Sequence, residues 1–370
     1  MKRIIRKLKS NKPKIFKTSL YKKRVINLFL ELYFKLKKTD NSKITNNQNK
    51  ILVVSLESLG DDAVKSTTID LIKKHYNNAQ VDIMVFNAWK EIFQLQGYHT
   101  ISFPRGSQII KTIKEKINFY NEINSSGYTK IIYLDHCGWV RDEFKYINCK
   151  DSIGISKSNN DPLLKDAISI EDKVDYVLDR QKWLLEKLTG EKYTLEDIRP
   201  DLKKFFPETI HKDIIVYGIG ASTPTNIMPI AKVIEILHFL LKRYPNKKIV
   251  LIGNGKEQEN YTKKLLKNIN SNRIINSVGK TSLKETLQLI KDSNFFIGYD
   301  SGPANIAFSL RKKYVCLFSR ELKIWQHPFN DIKYILGNKI NPVNDGYYGS
   351  DRLNSIKIEQ IENALNELGL

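Results

Sequence analysis

One unit occurs twice in this chain and limits the folds open to it. Ile51–Leu56 (ILVVSL) is a short, nearly continuous apolar run, as expected of a strand buried on both faces. Ser58-Leu59-Gly60-Asp61 supplies a turn. Residues 62–76 carry Ala63, Val64, Thr67, Ile69, Leu71 and Ile72 in a helical pattern, Asn77-Asn78 ends it, and Val81–Phe86 (VDIMVF) reads as the next strand. About 160 residues later the pattern returns. Asp213–Tyr217 (DIIVY) is a strand, Gly218–Thr225 (GIGASTPT) a loop, Ile230–Leu241 an apolar helix and Lys248–Ile252 (KIVLI) a strand. A helical crossover between consecutive strands makes them parallel. Two such starts predict two similar α/β domains rather than one large sheet.

Further candidate strands are Thr100–Phe103, Lys130–Leu134, Asp151–Ile155, Arg273–Asn276, Asn294–Ile297, Tyr314–Phe318 and Lys333–Leu336. Helices fall between most of them. Val174–Leu188 is the strongest late helix of the first half, and Lys357–Leu368 closes the chain. Arg199-Pro200 to Pro207 reads as the linker, giving an arm over 1–49 and domains over 50–206 and 207–370. A length of 370 residues, 41% of them hydrophobic, supports two cores and excludes a mainly disordered chain. Cys137, Cys149 and Cys316 form no C-x-x-C pair, which excludes a disulfide framework or a Cys-rich zinc module and fits a reducing compartment. No apolar run approaches the roughly 18–20 residues that cross a bilayer.

The net charge of +21 is unevenly placed. Residues 1–50 hold 16 Lys/Arg against Glu31 and Asp40, so this window carries +14 and the other 320 residues +7. Within it, Val25, Leu28, Phe29, Leu32, Tyr33 and Leu36 fall on one side of a helical wheel; Arg24, Glu31, Lys35 and Lys38 fall on the other. An apolar stripe beside a cationic one suits the headgroup region of an anionic membrane, where each Lys or Arg contributes about 1 kcal/mol. Residues 1–38 are therefore expected to dock on such a surface. The plainer alternative is a helix packed on the body with a solvated basic tail. Nucleic acid is not expected as a partner, because the arm has no zinc pattern, basic zipper or RNP-like motif. A secretory leader is not expected either: charges interrupt the apolar stretch and no small-residue cleavage site follows it. Thr39–Lys50 is polar and Asn-rich, and reads as a linker.

Open parallel sheets bind ligands at the carboxyl ends of their strands, and two facing domains make the cleft between them the default site. Four loops are then in play. Ser55–Asp62 (SLESLGDD) offers Gly60 for close backbone approach and Asp61 at a helix start, where an acid is also stabilised by the helix dipole alone. Asp135–Arg141 (DHCGWVR) gathers an acid, a histidine, Gly138 and Arg141 at a strand end, as a polar substrate rim or a plain loop cap; His136 lacks partners at metal spacing. Gly218–Thr225 and Gly253–Glu257 (GNGKE) are glycine-containing strand-to-helix turns with amides free to hold phosphate, although neither completes a Walker A or G-x-G-x-x-G pattern. The most informative is Phe295–Asn305 (FFIGYDSGPAN), where Asp300, Ser301 and Gly302 precede a helix start and form a cradle for hydroxyls and phosphate. No base or oxyanion site marks Ser301 as a nucleophile.

At these residues the chain resembles glycosyltransferase family nine, the heptosyltransferase-like enzymes of lipopolysaccharide assembly, over roughly residues 51–368. ILVVSLESLGDDAV is similar to that family's first strand, Gly-Asp turn and helix. Asn276–Leu310 (NSVGKTSLKETLQLIKDSNFFIGYDSGPANIAFSL) is similar to its "aGkts…D-SGp-H-A" signature, Gly220–Pro229 stands at its "GAs-p-KrWp" loop, and DHCGWVR resembles its D-x-x-G-x-x-R/K segment. The resemblance implies the GT-B architecture: two Rossmann-like domains facing across a cleft, here preceded by the basic amphipathic helix. It implies inverting, metal-independent transfer from a nucleotide sugar, typically ADP-heptose, onto a lipid-linked glycan acceptor at the cytoplasmic face of the inner membrane, with no other cofactor. Asp61 matches the catalytic base. Gly60, Gly138 and Arg141 fall on the acceptor side. Gly220, Ala221, Ser222, Gly253, Glu257, Asp300, Ser301, Gly302 and Asn305 fall on the donor side. Asn305 stands where the family usually has His, and Asn226-Ile227 stand for its basic pair. These departures leave two alternatives: a different nucleotide sugar, or a non-catalytic GT-B-like protein that binds a glycan or a partner.

Overall fold

The protein is described by a computed structural model, covering residues 28–36, 49–103, 113–149, 151–158, 160–170, 176–206, 213–221, 226–319, 323–338 and 351–370. Strands β1 (Lys50–Ser55), β2 (Gln80–Phe86), β3 (His99–Phe103), β4 (Lys130–Tyr133), β5 (Asp151–Ser156) and β6 (Asp166–Ser169) form one sheet in the order β3-β2-β1-β4-β5-β6. Strands β7 (Ile214–Gly218), β8 (Lys248–Ile252), β9 (Ile274–Asn276), β10 (Phe295–Tyr299), β11 (Tyr314–Phe318) and β12 (Ile332–Leu336) form the second, in the order β12-β11-β10-β7-β8-β9. Every neighbouring pair is parallel. Counted from its own first strand, each sheet has the doubly wound Rossmann order. The chain direction across the sheet therefore reverses beside β1 and β4 in one lobe, and beside β7 and β10 in the other.

The continuous apolar runs are explained by burial on both faces of each sheet. Along β1, Leu52 and Val54 join Tyr120, Tyr133 and Tyr146 on one face. Ile51 and Val53 face the opposite way into a cluster that also takes in Val216, Phe296 and Ile306 of the second lobe. The far face of the second sheet packs under Val233, Ile236 and Leu240 of the helix Ile230–Arg243 and Ile361 and Leu365 of the helix Ile358–Glu367. Both lobes thus share a central apolar layer.

Three local features differ from the sequence-based expectation. The helix expected over 62–76 is two, Leu59–Val64 and Ser66–His75, broken at Lys65 where ψ is near 2°. The edge strand β6 was not expected; its DAIS sequence is short and poor in β-branched and aromatic residues. In the arm, 28–36 is helical, but the stripe it buries is Leu30 and Phe34, against Tyr120 and Tyr146. Leu28, Phe29, Leu32 and Leu36 of the expected apolar stripe stay exposed. This helix is apolar on two sides, and a wheel cannot tell which side meets the body. Val25, Arg24 and the rest of residues 1–27 and 37–48 lie outside the described residues. Among the described residues no helix is long and apolar enough to cross a membrane.

Candidate active site

Loops after β1, β4, β7 and β10 sit at the two points of reversal, where open α/β sheets bind ligands. The first loop of one lobe meets the last of the other. Ser58 has extended backbone angles (φ −74°, ψ 159°), so the chain turns sharply into Leu59–Val64 and places Asp61 in the first helical turn. Ser301 (φ −164°, ψ 167°) does the same for the helix Gly302–Ser309, with Pro303 filling a position where no amide hydrogen is needed. The two helix starts touch through glycine. A Cβ at Gly60 would lie 2.8 Å from Gly302 Cα and 2.8 Å from Asn305 Cβ. Only a residue without a side chain permits this approach. Across it, the Asn305 amide donates to Asp61 Oδ1 at 3.5 Å.

Behind Asp61 lies a charged cluster the sequence did not reveal. Lys65, fully buried at the helix break, reaches Asp135 Oδ2 at 3.1 Å. Glu57, Asp61 and Asp62 surround the same ammonium group. One cation cannot neutralise four carboxylates, so their acidities separate. Asp135 stays below the usual carboxylate range because Lys65 and the His136 amide outweigh its burial. Burial raises Asp61 to about 6, with Asp135 and Asp300 adding to the rise and Lys65 opposing it. Burial likewise pushes Glu57 up to about 7 and Asp62 up to about 7. Asp62 is a structural acid: Ser55 Oγ and Trp89 Nε1 donate to its two oxygens, each at 2.7 Å. Asp61 is thereby left as the acid of this turn that meets the opposite lobe. Among the described residues no group of three or more His, Cys, Asp or Glu is placed to hold a metal ion.

The other expected residues fall into three places. Gly220 and Gly253 come together over Gln258, whose Oε1 lies 1.7 and 2.4 Å from where their Cβ atoms would be. Gln258 accepts from the Asn254 amide (2.9 Å) and donates to the Ala221 carbonyl (3.3 Å), joining the turns after β7 and β8. Glu257 is exposed in the first turn of the helix Lys256–Leu266, and Ser222 lies outside the described residues. Asp300 and Gly302 are half-buried beside Asp61, and Ser301 Oγ donates to the Tyr299 carbonyl. Gly138 opens the 3₁₀ turn Gly138–Tyr146, after Cys137 in the left-handed region (φ 60°). Arg141 is not an exposed loop arginine. It is buried in an ion pair with Asp161 (2.6 Å), which also accepts from Ser156. Among the described residues its Nε and Nη1 have no hydrogen-bond partner.

Asn226 accepts from Ser319 Oγ at 2.7 Å and is buried. Lys65, Gln258 and His327 are the site residues that sequence reasoning missed. Lys65 sits in a run that reads as an ordinary helix surface, and His327 lies in a loop with no motif.

Two Rossmann-order sheets whose carboxyl-end loops meet around an acid and a glycine-rich cradle define a GT-B protein. Within that class, this chain belongs to glycosyltransferase family 9 (heptosyltransferase), whose family model matches residues 115–349. Lipopolysaccharide heptosyltransferase 1 of Campylobacter coli is 25% identical over 251 residues, covering 66% of this chain; the chain spans only 62% of that relative's length. The structure of the E. coli ADP-heptose lipopolysaccharide heptosyltransferase II shares the fold at a TM-score of 0.67 and 17% identity, over 86% of this chain and 98% of that one. E. coli heptosyltransferase WaaC with ADP-2-deoxy-2-fluoro heptose gives 0.68 and 14%, over 86% and 99%.

Proposed function

We propose that this protein is an inverting, metal-independent transferase that moves heptose from ADP-heptose onto a lipopolysaccharide core or related surface-glycan acceptor. The observation that carries the reading is the meeting of Asp61 with the helix start at Gly302–Asn305 across the interlobe contact. Asp61 takes the proton from an acceptor hydroxyl as that oxygen attacks the anomeric carbon. The bond from that carbon to the diphosphate oxygen breaks, and ADP leaves with the electron pair. A base works best with a pKa near the working pH, and burial brings Asp61 to about 6. The leaving diphosphate needs fixed positive dipoles. The start of the helix Gly302–Ser309 and the turns joined by Gln258 lie on the side expected to hold it.

In this reading the lobe of residues 50–206 receives the acceptor through Gly60, Gly138 and Arg141. The lobe of residues 207–370 receives the nucleotide sugar. The exposed Leu28, Phe29, Leu32 and Leu36, within the +14 window, support docking on an anionic membrane, with the enzyme peripheral on the cytoplasmic face of the inner membrane.

The test is incubation with ADP-heptose, other nucleotide sugars and truncated lipopolysaccharide acceptors, read by mass spectrometry of the glycolipid. A gain of one heptose mass is expected. Asp61→Asn should lower turnover by about 10²–10⁴-fold while ADP binding survives. Full activity of that variant would sink the base assignment. Nucleotide or glycan binding without turnover on any donor would mark the chain as a binding protein.

A further inference from the structure

The site holds a chain of side chains that the transfer step above does not use. His327 lies in the loop between β11 and β12, is 1% exposed, and stacks flat on Phe308 with ring centroids 3.6 Å apart. Phe308 stands one helical turn beyond Asn305 on the helix Gly302–Ser309. The imidazole Nδ1 lies 2.9 Å from the hydroxyl of Tyr176, and Nε2 lies 3.4 Å from Asn305 Oδ1. Tyr176 precedes the helix Val177–Thr189, so this chain of contacts leaves the first half of the sequence, enters the second, and returns to the first at Asp61.

The direction of each bond follows from its neighbours. An ionised Asp61 only accepts, so Asn305 must present its NH₂ group to Asp61 and its carbonyl to His327. His327 Nε2 must then carry the hydrogen, which leaves Nδ1 bare to accept from the Tyr176 hydroxyl. Burial, with Arg199 nearby, holds the imidazole down to about 3, so it is neutral, and its two hydrogen-bond partners set the tautomer. Burial raises the Tyr176 hydroxyl above its usual range, so it keeps its proton to donate. The His327 backbone amide donates to the Tyr334 hydroxyl at 2.6 Å, which fixes the loop.

We propose that His327, held by Tyr176, is a positioning residue for Asp61: it locks the Asn305 amide in the one orientation that donates to the base, and so ties the base to the contact between the two lobes. Without His327 the amide can flip and turn its carbonyl toward the carboxylate. This inference rests on the assignment of Asp61 as base.

The first measurement needs no substrate. ¹⁵N NMR of the imidazoles should show one histidine that stays neutral between about pH 5 and 8, takes the Nε2–H form above about pH 6, where Asp61 is ionised, and is lost in His327→Gln. A His327 signal of the Nδ1–H form above about pH 6, or one that gains a charge between about pH 5 and 8, overturns the proposal. The second is kinetic, with ADP-heptose as donor. His327→Phe keeps the stacked ring and loses both nitrogens. It should lower kcat by about 10- to 100-fold, the worth of a hydrogen bond to a charged group. Its KM for ADP-heptose should hold, and the acid limb of its pH profile should move upward, because a carboxylate that loses a donor is easier to protonate. Glu57, Asp62, Lys65, Asp135, Asp300 and the Ser58 amide also face Asp61 and are unchanged in every variant. His327→Gln, which can donate from its amide, should recover most of the rate and the limb; Tyr176→Phe should reproduce part of the loss. Equal losses in the Phe and Gln variants with an unmoved limb would mean packing alone and refute the idea. Full turnover by Asp61→Asn would instead refute the base assignment, whatever His327→Phe does.

Discussion

Replacing Gly60 by alanine should stabilise a helix and disable the site it serves. Gly60 lies inside Leu59–Val64 and has no positive φ, so alanine fits its backbone. Helix propensity favours the change by about 1 kcal/mol. The obstacle lies in the other lobe. The new methyl would sit 2.8 Å from Gly302 Cα and 2.8 Å from Asn305 Cβ, whereas carbon atoms rest at about 3.5–4.0 Å. Relief requires the helix starts to part by about 1 Å. That opening lengthens the Asn305–Asp61 contact beyond its present 3.5 Å and moves Asp61 away from the opposite lobe. A displacement of this size costs about 10²-fold in rate. Thermal melts and ADP-heptose turnover measured on the same preparation check both parts: Tm unchanged or slightly higher, kcat down about 10²-fold. Wild-type turnover would show that the lobes work further apart than they stand here. A loss of Tm in proportion to activity would show that the methyl disrupts the fold.

Asp62→Asn should flatten the pH dependence of stability. Asp62 rises on folding from 3.8 to about 7, so the folded state binds its proton more readily than the unfolded chain. That contribution is complete below about pH 3.8 and is lost as pH rises through about 7. At about 1.4 kcal/mol per pKa unit it reaches roughly 4 kcal/mol at most. Wild-type Tm should therefore fall between pH 5 and 8; the variant, lower overall because one of its two donors loses an acceptor, should fall less, and a parallel fall in both would rule out Asp62 as the source. Leu32→Ser with Leu36→Ser, both at exposed positions, should weaken binding to anionic vesicles by about tenfold or more. Their melts should not change, and unaltered vesicle partition would return the helix 28–36 to a packing role alone. Gln258→Ala should raise the ADP dissociation constant by freeing the turns after β7 and β8, with little effect on acceptor affinity; an unchanged dissociation constant would place ADP elsewhere.

Much of the scaffold was legible because it depends on local burial. A strand covered on both faces must be apolar throughout, so ILVVSL, DIIVY and KIVLI announced themselves. Turn residues marked where each strand handed over to a helix. The loops after β1, β4, β7 and β10 were chosen from sequence, and they occupy the two reversal points. Where local burial gave a weaker signal the reading failed. Strand β6 at an edge needs little hydrophobicity. The break falls at Lys65, whose partner Asp135 is 70 residues away in sequence.

The sequence by itself determined two α/β lobes, the loops that lie at their reversal points, and Asp61 as the acid to watch. Each of these is written in residues close together along the chain. Only the tertiary structure decided which acids share Lys65, that Arg141 is buried against Asp161, that Gln258 joins two turns, and that the arm helix buries Leu30 and Phe34 rather than the stripe beside them. The reason is physical. Periodicity records how many faces an element buries but not what it meets there, and electrostatics falls off with distance through space, not along the chain. Asp61 is an ordinary helix-start acid in the sequence. Only in the folded site does burial raise it to about 6, with Asp135 and Asp300 adding to the rise and Lys65 opposing it.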